Sequence, residues 1–287
     1  MNERNDSRNL HAPNEPPRSA LPAVVFMVVC SPIWLAPQLL PVPHPAVLVV
    51  ALLLLTFLFL RRENRSLAVL GLNASWLRMG QLLAGLIGGA LLMLVVALCI
   101  NVSLPLPWAY NPLFSPTAAV LSLVALLWGN AVEELVFRGY SFERLIASIG
   151  HWKAQLVTAL LFALFHLVQG WPWQVALVGT TVGSLLFGLV VARWRSVPAA
   201  IGVHAALNWT TGLLLQDPPN AKTLFAPLSP RPWTTTEVMM AGAISSGVLL
   251  SACVVLWRQY LRSTEAARAE VACNVPAEQD QVEPYEP

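Results

Sequence analysis

Long apolar runs separated by short polar loops constrain this chain more than any other feature. About 17–25 such residues cross a hydrocarbon core as a helix. Eight runs meet or approach that length: 23–40, 45–60, 80–100, 117–137, 154–168, 174–192, 197–216 and 238–257. Pro32 and Pro37 interrupt the first, and the fifth is short. Only 11% of the 287 residues are charged, against about 25% in a soluble domain. The expected fold class is therefore all-α, a polytopic transmembrane helix bundle of about eight membrane-spanning helices.

Loop charge gives an independent reading of the same organisation. Arg61, Arg62, Arg65 and Arg78 fall between runs two and three, and Arg138, Arg144 and Lys153 between four and five. Arg193 and Arg195 separate six and seven, and Arg258 and Arg262 follow the eighth. The alternate loops 41–44, 101–116 and 169–173 carry no Lys or Arg; only Lys222 and Arg231 break the alternation. The positive-inside rule then puts both termini and the basic loops in the cytoplasm. A compact multi-pass protein of this kind suits a bacterial inner membrane.

Three segments follow: a disordered cytoplasmic tail at 1–22, the bundle at 23–262, and an acidic tail at 263–287 with Glu278, Asp280, Glu283 and Glu286. A net charge of +2 with no basic block argues against nucleic acid. Cys30, Cys99, Cys253 and Cys273 form no CxxC pair, so neither a zinc knuckle nor a disulfide framework is indicated. Gly85, Gly88 and Gly89, and Gly179, Gly183 and Gly188, offer small surfaces for helix packing.

Within the fourth run stand two adjacent glutamates, Glu133 and Glu134, with Arg138 beyond them. Ionisable groups inside a membrane cost about 2.5–3.5 kcal/mol each on insertion scales and mark functional sites by default. Neighbours on a helix are about 100° apart, so the two carboxylates are expected not to share one pocket. Glu134 and Arg138, four apart, share a face and should pair. That leaves Glu133 to face the interior as a general base toward water. His166 follows Phe162 by four residues in the fifth run, and Asn208 follows His204 by four in the seventh. A base, two imidazoles and an amide can orient a water and stabilise an oxyanion. Glu133, His166 and His204 also match the ligand count of a catalytic zinc site. The sequence requires no cofactor, and zinc stays an alternative. Asn130, one turn before Glu133, is placed to line the same cavity, whereas His151 is expected to be solvated in a charged loop.

Glu133-Glu134-x-x-x-Arg138, Phe162-x-x-x-His166 and His204-x-x-x-Asn208, in this order on successive apolar segments, resemble the CPBP family. These are the CAAX-protease and bacteriocin-processing (Abi-type) intramembrane endopeptidases, typified by the Rce1-type CAAX prenyl protease. The similarity runs from about 115 to 216, and Leu70-Gly71-Leu72 fits it as well. Each motif alone is weak; the ordered set is specific, and all its positions are matched. By this resemblance Glu133 with His166 would activate water, His204 with Asn208 would hold the oxyanion, and Glu134 with Arg138 would brace the site. The family has been described both as metal-dependent and as glutamate-dependent, and Asn208 suits an oxyanion better than zinc. The implied partners are the bilayer and a peptide or protein substrate, with prenylated and membrane-anchored ones among the candidates.

The rival readings are a non-catalytic scaffold or bacteriocin-immunity protein that keeps the fold, and a proton-coupled transporter. The transporter finds no internal repeat to support it. The site also imposes a condition on the fold. Glu133 lies near the end of run four while His166 lies deeper in run five, so the fourth helix should continue past Arg138 toward Gly150.

Overall fold

The computed structural model describes residues 19–35, 44–104, 108–216, 219–227 and 233–274, the side chains of 33–35, 226–227 and 267–274 apart. Its helices are α1 (Leu21–Leu35), α2 (Pro45–Arg62), α3 (Trp76–Ser103), α4 (Pro116–Arg138), α5 (Tyr140–Ile149), α6 (His151–Val168), α7 (Thr181–Trp194), α8 (Val197–Leu214) and α9 (Thr235–Asn274). A π-helical turn, Val175–Thr180, leads into α7. The fold is a helical bundle, as the apolar runs require. Helix starts follow local chemistry. Ser75, Ser115 and Ser196 cap α3, α4 and α8 through their hydroxyls, satisfying amide groups with no partner inside the helix.

Among the described residues, six helical stretches are long and apolar enough to cross a membrane: Pro45–Arg62, Trp76–Ser103, Pro116–Ile149, His151–Val168, Val175–Trp194 and Thr235–Ala266. Eight were expected, and the two that fall short do so for different reasons. The apolar part of α1, Leu21–Pro32, is too short, and its expected continuation lies largely outside the described residues. With 18 residues, α8 is long enough, but His204, Asn208, Thr210 and Thr211 make it too polar. It tolerates them because α3, α4 and α7 pack around it. At the other extreme, α9 is the helix most open to lipid, with 6% of its apolar window buried. It also runs past the expected boundary at 262 to Asn274. Residues 1–18 and 275–287 lie outside the described residues.

Helix α4 ends at Arg138, and α5 takes over after Gly139. A Cβ on Gly139 would lie 2.2 Å from the Leu135 carbonyl oxygen, so only glycine makes this turn. Ser141 then donates to the Val136 carbonyl at 2.5 Å. The helical path therefore continues to Ile149 with one break, so Glu133 lies inside a longer helical stretch than the fourth apolar run alone.

Close backbone contact holds α8 against α3. A Cβ on Gly85 would meet the Ala199 carbonyl oxygen at 2.3 Å, one on Gly89 the Val203 carbonyl oxygen at 2.5 Å, and one on Gly202 the Leu82 carbonyl oxygen at 2.3 Å. Of the six glycines expected to pack helices, Gly85 and Gly89 do so on backbone. Gly188 makes room for the Gln155 side chain, Gly88 faces open space, and Gly179 and Gly183 meet side chains at ordinary distances.

The two ends of the bundle are closed differently. At the basic-loop end Arg65 grips Glu143 with both terminal nitrogens at 2.6 and 2.5 Å, and Arg144 lies 3.3 Å from Glu63. His151 is not solvated there; its ring stacks on Tyr260 at 4.9 Å and on Trp257 at 5.8 Å, because α9 lies alongside. At the opposite end β1 (Trp108–Tyr110) pairs antiparallel with β2 (Phe225–Pro227), with Trp108 opposite Pro227. The pairing puts the loop carrying Lys222 on the side that the charge alternation assigns to uncharged loops. Asn111 fastens this cap by donating to the carbonyls of Asn220 and Thr223. Arg231 lies outside the described residues.

Candidate active site

The polar residues converge where α8 faces α4. Glu134 and Arg138 are both fully buried, and Arg138 Nη1 donates to Glu134 Oε1 at 3.1 Å. The guanidinium also donates to Ser184 Oγ on α7 at 2.5 Å. It lies over the Phe162 ring at 4.3 Å and the Phe187 ring at 5.3 Å. Aromatic faces attract a desolvated cation, so four side chains on three helices compensate one buried arginine.

Glu134 Oε1 accepts a second bond, from His204 Nδ1–H at 2.8 Å. A carboxylate only accepts here, so the proton on that ring nitrogen is assigned. His204 Nε2 then faces Glu133, whose Oε2 lies 3.9 Å away. The two glutamates therefore meet one imidazole at its two nitrogens. This corrects the expectation that 100° of helix rotation keeps them in separate pockets. Each side chain is long enough to turn inward, and the ring between them is only one residue wide. Phe187 stacks on the other face of His204 at 4.3 Å with planes 20° apart.

His166 is arranged by its own helix. Its Nδ1–H donates to the Phe162 carbonyl one turn back at 2.8 Å, which leaves Nε2 as the nitrogen with no hydrogen bond among the described residues. The Phe162 ring lies 4.5 Å from the His166 ring and 6.0 Å from that of His204, so it bridges the two histidines. Trp171, in the loop after α6, meets His166 edge-on at 4.8 Å. Among the described residues, His166 makes no hydrogen bond to Glu133.

Asn208 is exposed, one turn beyond His204, and donates from Nδ2 to Asn130 Oδ1 on α4 at 3.2 Å. Among the described residues, four polar atoms of this seam are buried without a hydrogen-bond partner: Glu133 Oε2, Glu134 Oε2, Arg138 Nε and Asn130 Nδ2. Glu133 keeps 24% of its side chain accessible, so the carboxylate is reachable although its inner oxygen is not.

The structure thus brings Glu133, Glu134, Arg138, His204, Asn208 and Asn130 into one seam, with His166 beside it across Phe162. Among the described residues no group of three or more His, Cys, Asp or Glu side chains is placed to hold a metal ion. The alternative trio of Glu133, His166 and His204 is not drawn together as a cradle. Sequence reading missed Ser184 and Phe187, the α7 residues that support Arg138 and His204. A serine after a glycine on an apolar helix was a faint signal, but Thr180 and Thr181 beside it gave the same one.

Residues 115–210 match the family model described as type II CAAX prenyl endopeptidase, Rce1-like. No curated protein matches the chain.

Proposed function

From the premise that this match supports membership in the CPBP family, we propose that the chain is an intramembrane endopeptidase in which Glu133 activates the attacking water. It is an integral membrane protein, with six apolar helices and an Rce1-like core. The observation that carries the reading is the Glu133 carboxylate, reachable yet with Oε2 unpaired, beside an imidazole held in place from its far nitrogen by Glu134.

The steps follow from these positions. Glu133 takes a proton from water as the oxygen attacks the carbonyl carbon. His166, its free Nε2 on the other side of Phe162, orients that water. The tetrahedral oxyanion is met by the remaining amide proton of Asn208, with the His204 ring that Glu134 holds lying beside it. The proton gathered by Glu133 then passes to the leaving nitrogen as the C–N bond breaks, without a covalent enzyme intermediate. Glu134 and Arg138 act on His204 rather than on substrate. No step is routed through a metal.

Substrates to try first are the prenylated CAAX-box peptides that the family description names, beside membrane-anchored peptides and leader peptides. The charge alternation supports cleavage near the cytoplasmic face and cytoplasmic termini, in a membrane of the bacterial inner type.

The test is cleavage of a library of such peptides by purified protein, with wild type and Glu133→Gln compared with and without chelator. Wild-type cleavage that resists chelator and falls by at least about 10³-fold in Glu133→Gln, at unchanged thermal midpoint, supports this reading. Cleavage surviving the substitution removes Glu133 from the chemistry. Loss to chelator with zinc rescue replaces the glutamate mechanism by a metal one.

A further inference from the structure

The proposed steps leave the buried amide of Asn130 without a use. Asn130 is 3% exposed. Its Oδ1 accepts from Asn208 Nδ2, while its own Nδ2 is buried and meets no acceptor. A buried amide donor without a partner is destabilising, and in native proteins such an orphan asks for an explanation. A ligand that brings the acceptor is one explanation.

Helix geometry says which ligand atom that is. Asn130 lies three residues before Glu133 and four before Glu134, so the three share the α4 face turned to α8. The orphaned donor is one turn from the carboxylate proposed to hold the water. A carbonyl group seated between them presents its carbon to that water and its oxygen to the amide of Asn130. Asn208 lies on the facing helix, within hydrogen-bond reach of Asn130, so its second amide proton serves the same oxygen.

Resting on the endopeptidase reading, we infer that Asn130 is a further catalytic residue, donating from Nδ2 to the scissile carbonyl oxygen as it gains negative charge. The proton stays on the amide throughout; the bond only strengthens as the oxyanion forms. The oxyanion hole is then built across the α4–α8 seam, with Asn130 of α4 joining Asn208 and His204, rather than from α8 alone.

The competing role is support: Asn130 could merely orient Asn208 through its Oδ1. A double-mutant cycle separates the two. The full chain is assayed for kcat and KM on a quenched prenylated CAAX-box peptide, or on the library peptide cut fastest. The variants are Asn130→Ala, Asn130→Asp, Asn208→Ala, the Asn130→Ala/Asn208→Ala pair, and Glu133→Gln as the control.

A direct donor predicts a kcat loss of about 10²-fold in Asn130→Ala with KM little changed. Asn130→Asp, nearly identical in shape, should fall at least as far, because it replaces a donor with an acceptor; it carries the test if the alanine variant folds poorly. In the Asn208→Ala background, removing Asn130 should cost at least about a further 10-fold. No further loss there would reduce Asn130 to a positioning residue and overturn the inference. Wild-type kcat in Asn130→Ala, with Glu133→Gln inactive, would also overturn it while sparing the endopeptidase reading. Full activity in Glu133→Gln, or no cleavage by wild type, would bring down both.

Discussion

Helix α8 has two seams that follow opposite rules. Toward α3 it is dry and built from backbone: Gly85, Gly89 and Gly202 let the two chains approach until any added Cβ would strike a carbonyl oxygen. Toward α4 it is polar, with Glu134 on His204 and Asn130 on Asn208. The first seam has no adjustable parts, and the second keeps hydrogen-bonding capacity unused at Glu133, Glu134, Arg138 and Asn130. Small residues and polar pairs are the two ways helices associate in a membrane, where apolar burial gives no net drive. This helix separates them by face, so a rigid back supports a reactive front.

The largest break expected in this comparison is Arg138→Met. It leaves Glu134 buried with its charge uncompensated, and one-sided removal of a buried pair costs about 3–5 kcal/mol. The thermal midpoint in detergent should drop sharply, and cleavage should go with it, since His204 loses its fixed anchor. The double variant Arg138→Met/Glu134→Gln should regain much of the stability and none of the activity. If the single variant melts like wild type, the polar seam is not what holds α4 to α8.

How far these seams could be read from sequence differs just as much. The polar one was largely legible, because a glutamate or histidine in an apolar run is conspicuous and spacing by four marks a shared face. What stayed hidden was the meeting of both glutamates on one ring, since helix rotation fixes where a side chain starts and not where its end turns. The dry seam was half legible. Gly85 and Gly89 stood out, but their partner Gly202 sat alone on α8, and Gly88 beside them faces open space. Glycine content shows that a helix can pack closely, not which of its faces does. The expected spans include α8, which falls outside the six most apolar stretches for a related reason. A helix wrapped by others need not be apolar, so the central element of the site is the one that hydropathy describes worst.

A smaller effect tests the dry seam. Gly85→Val pushes a branched side chain onto the Ala199 carbonyl, and overpacking of this kind costs about 1–3 kcal/mol. Because the displaced backbone is that of α8, activity should fall more than stability, through misplacement of His204 and Asn208. Gly88→Val, three residues on and facing open space, should leave both within error. Thermal unfolding and peptide cleavage on the two variants side by side would check this. Equal behaviour would mean that α3 does not act as a fixed backing.

The smallest expected effect asks whether the polar seam is all chemistry. Near the far end of α8, Trp209 Nε1 donates to the Ala119 carbonyl at 2.8 Å, joining α8 to the first turn of α4 well away from the glutamates. That carbonyl lies inside a helix and has its own backbone donor, so losing the indole leaves no bare acceptor. Trp209→Phe keeps most of the ring and removes only the donor, which predicts a loss of about 0.5–1.5 kcal/mol. With the reactive groups still held by Arg138, Ser184 and Phe187, kcat should stay within about twofold, since rate tracks how precisely the reacting groups are positioned. A pure stability change would show that the seam is pinned at its end and reactive in its middle. A matching fall in kcat would instead make the α4–α8 spacing itself part of the catalytic geometry.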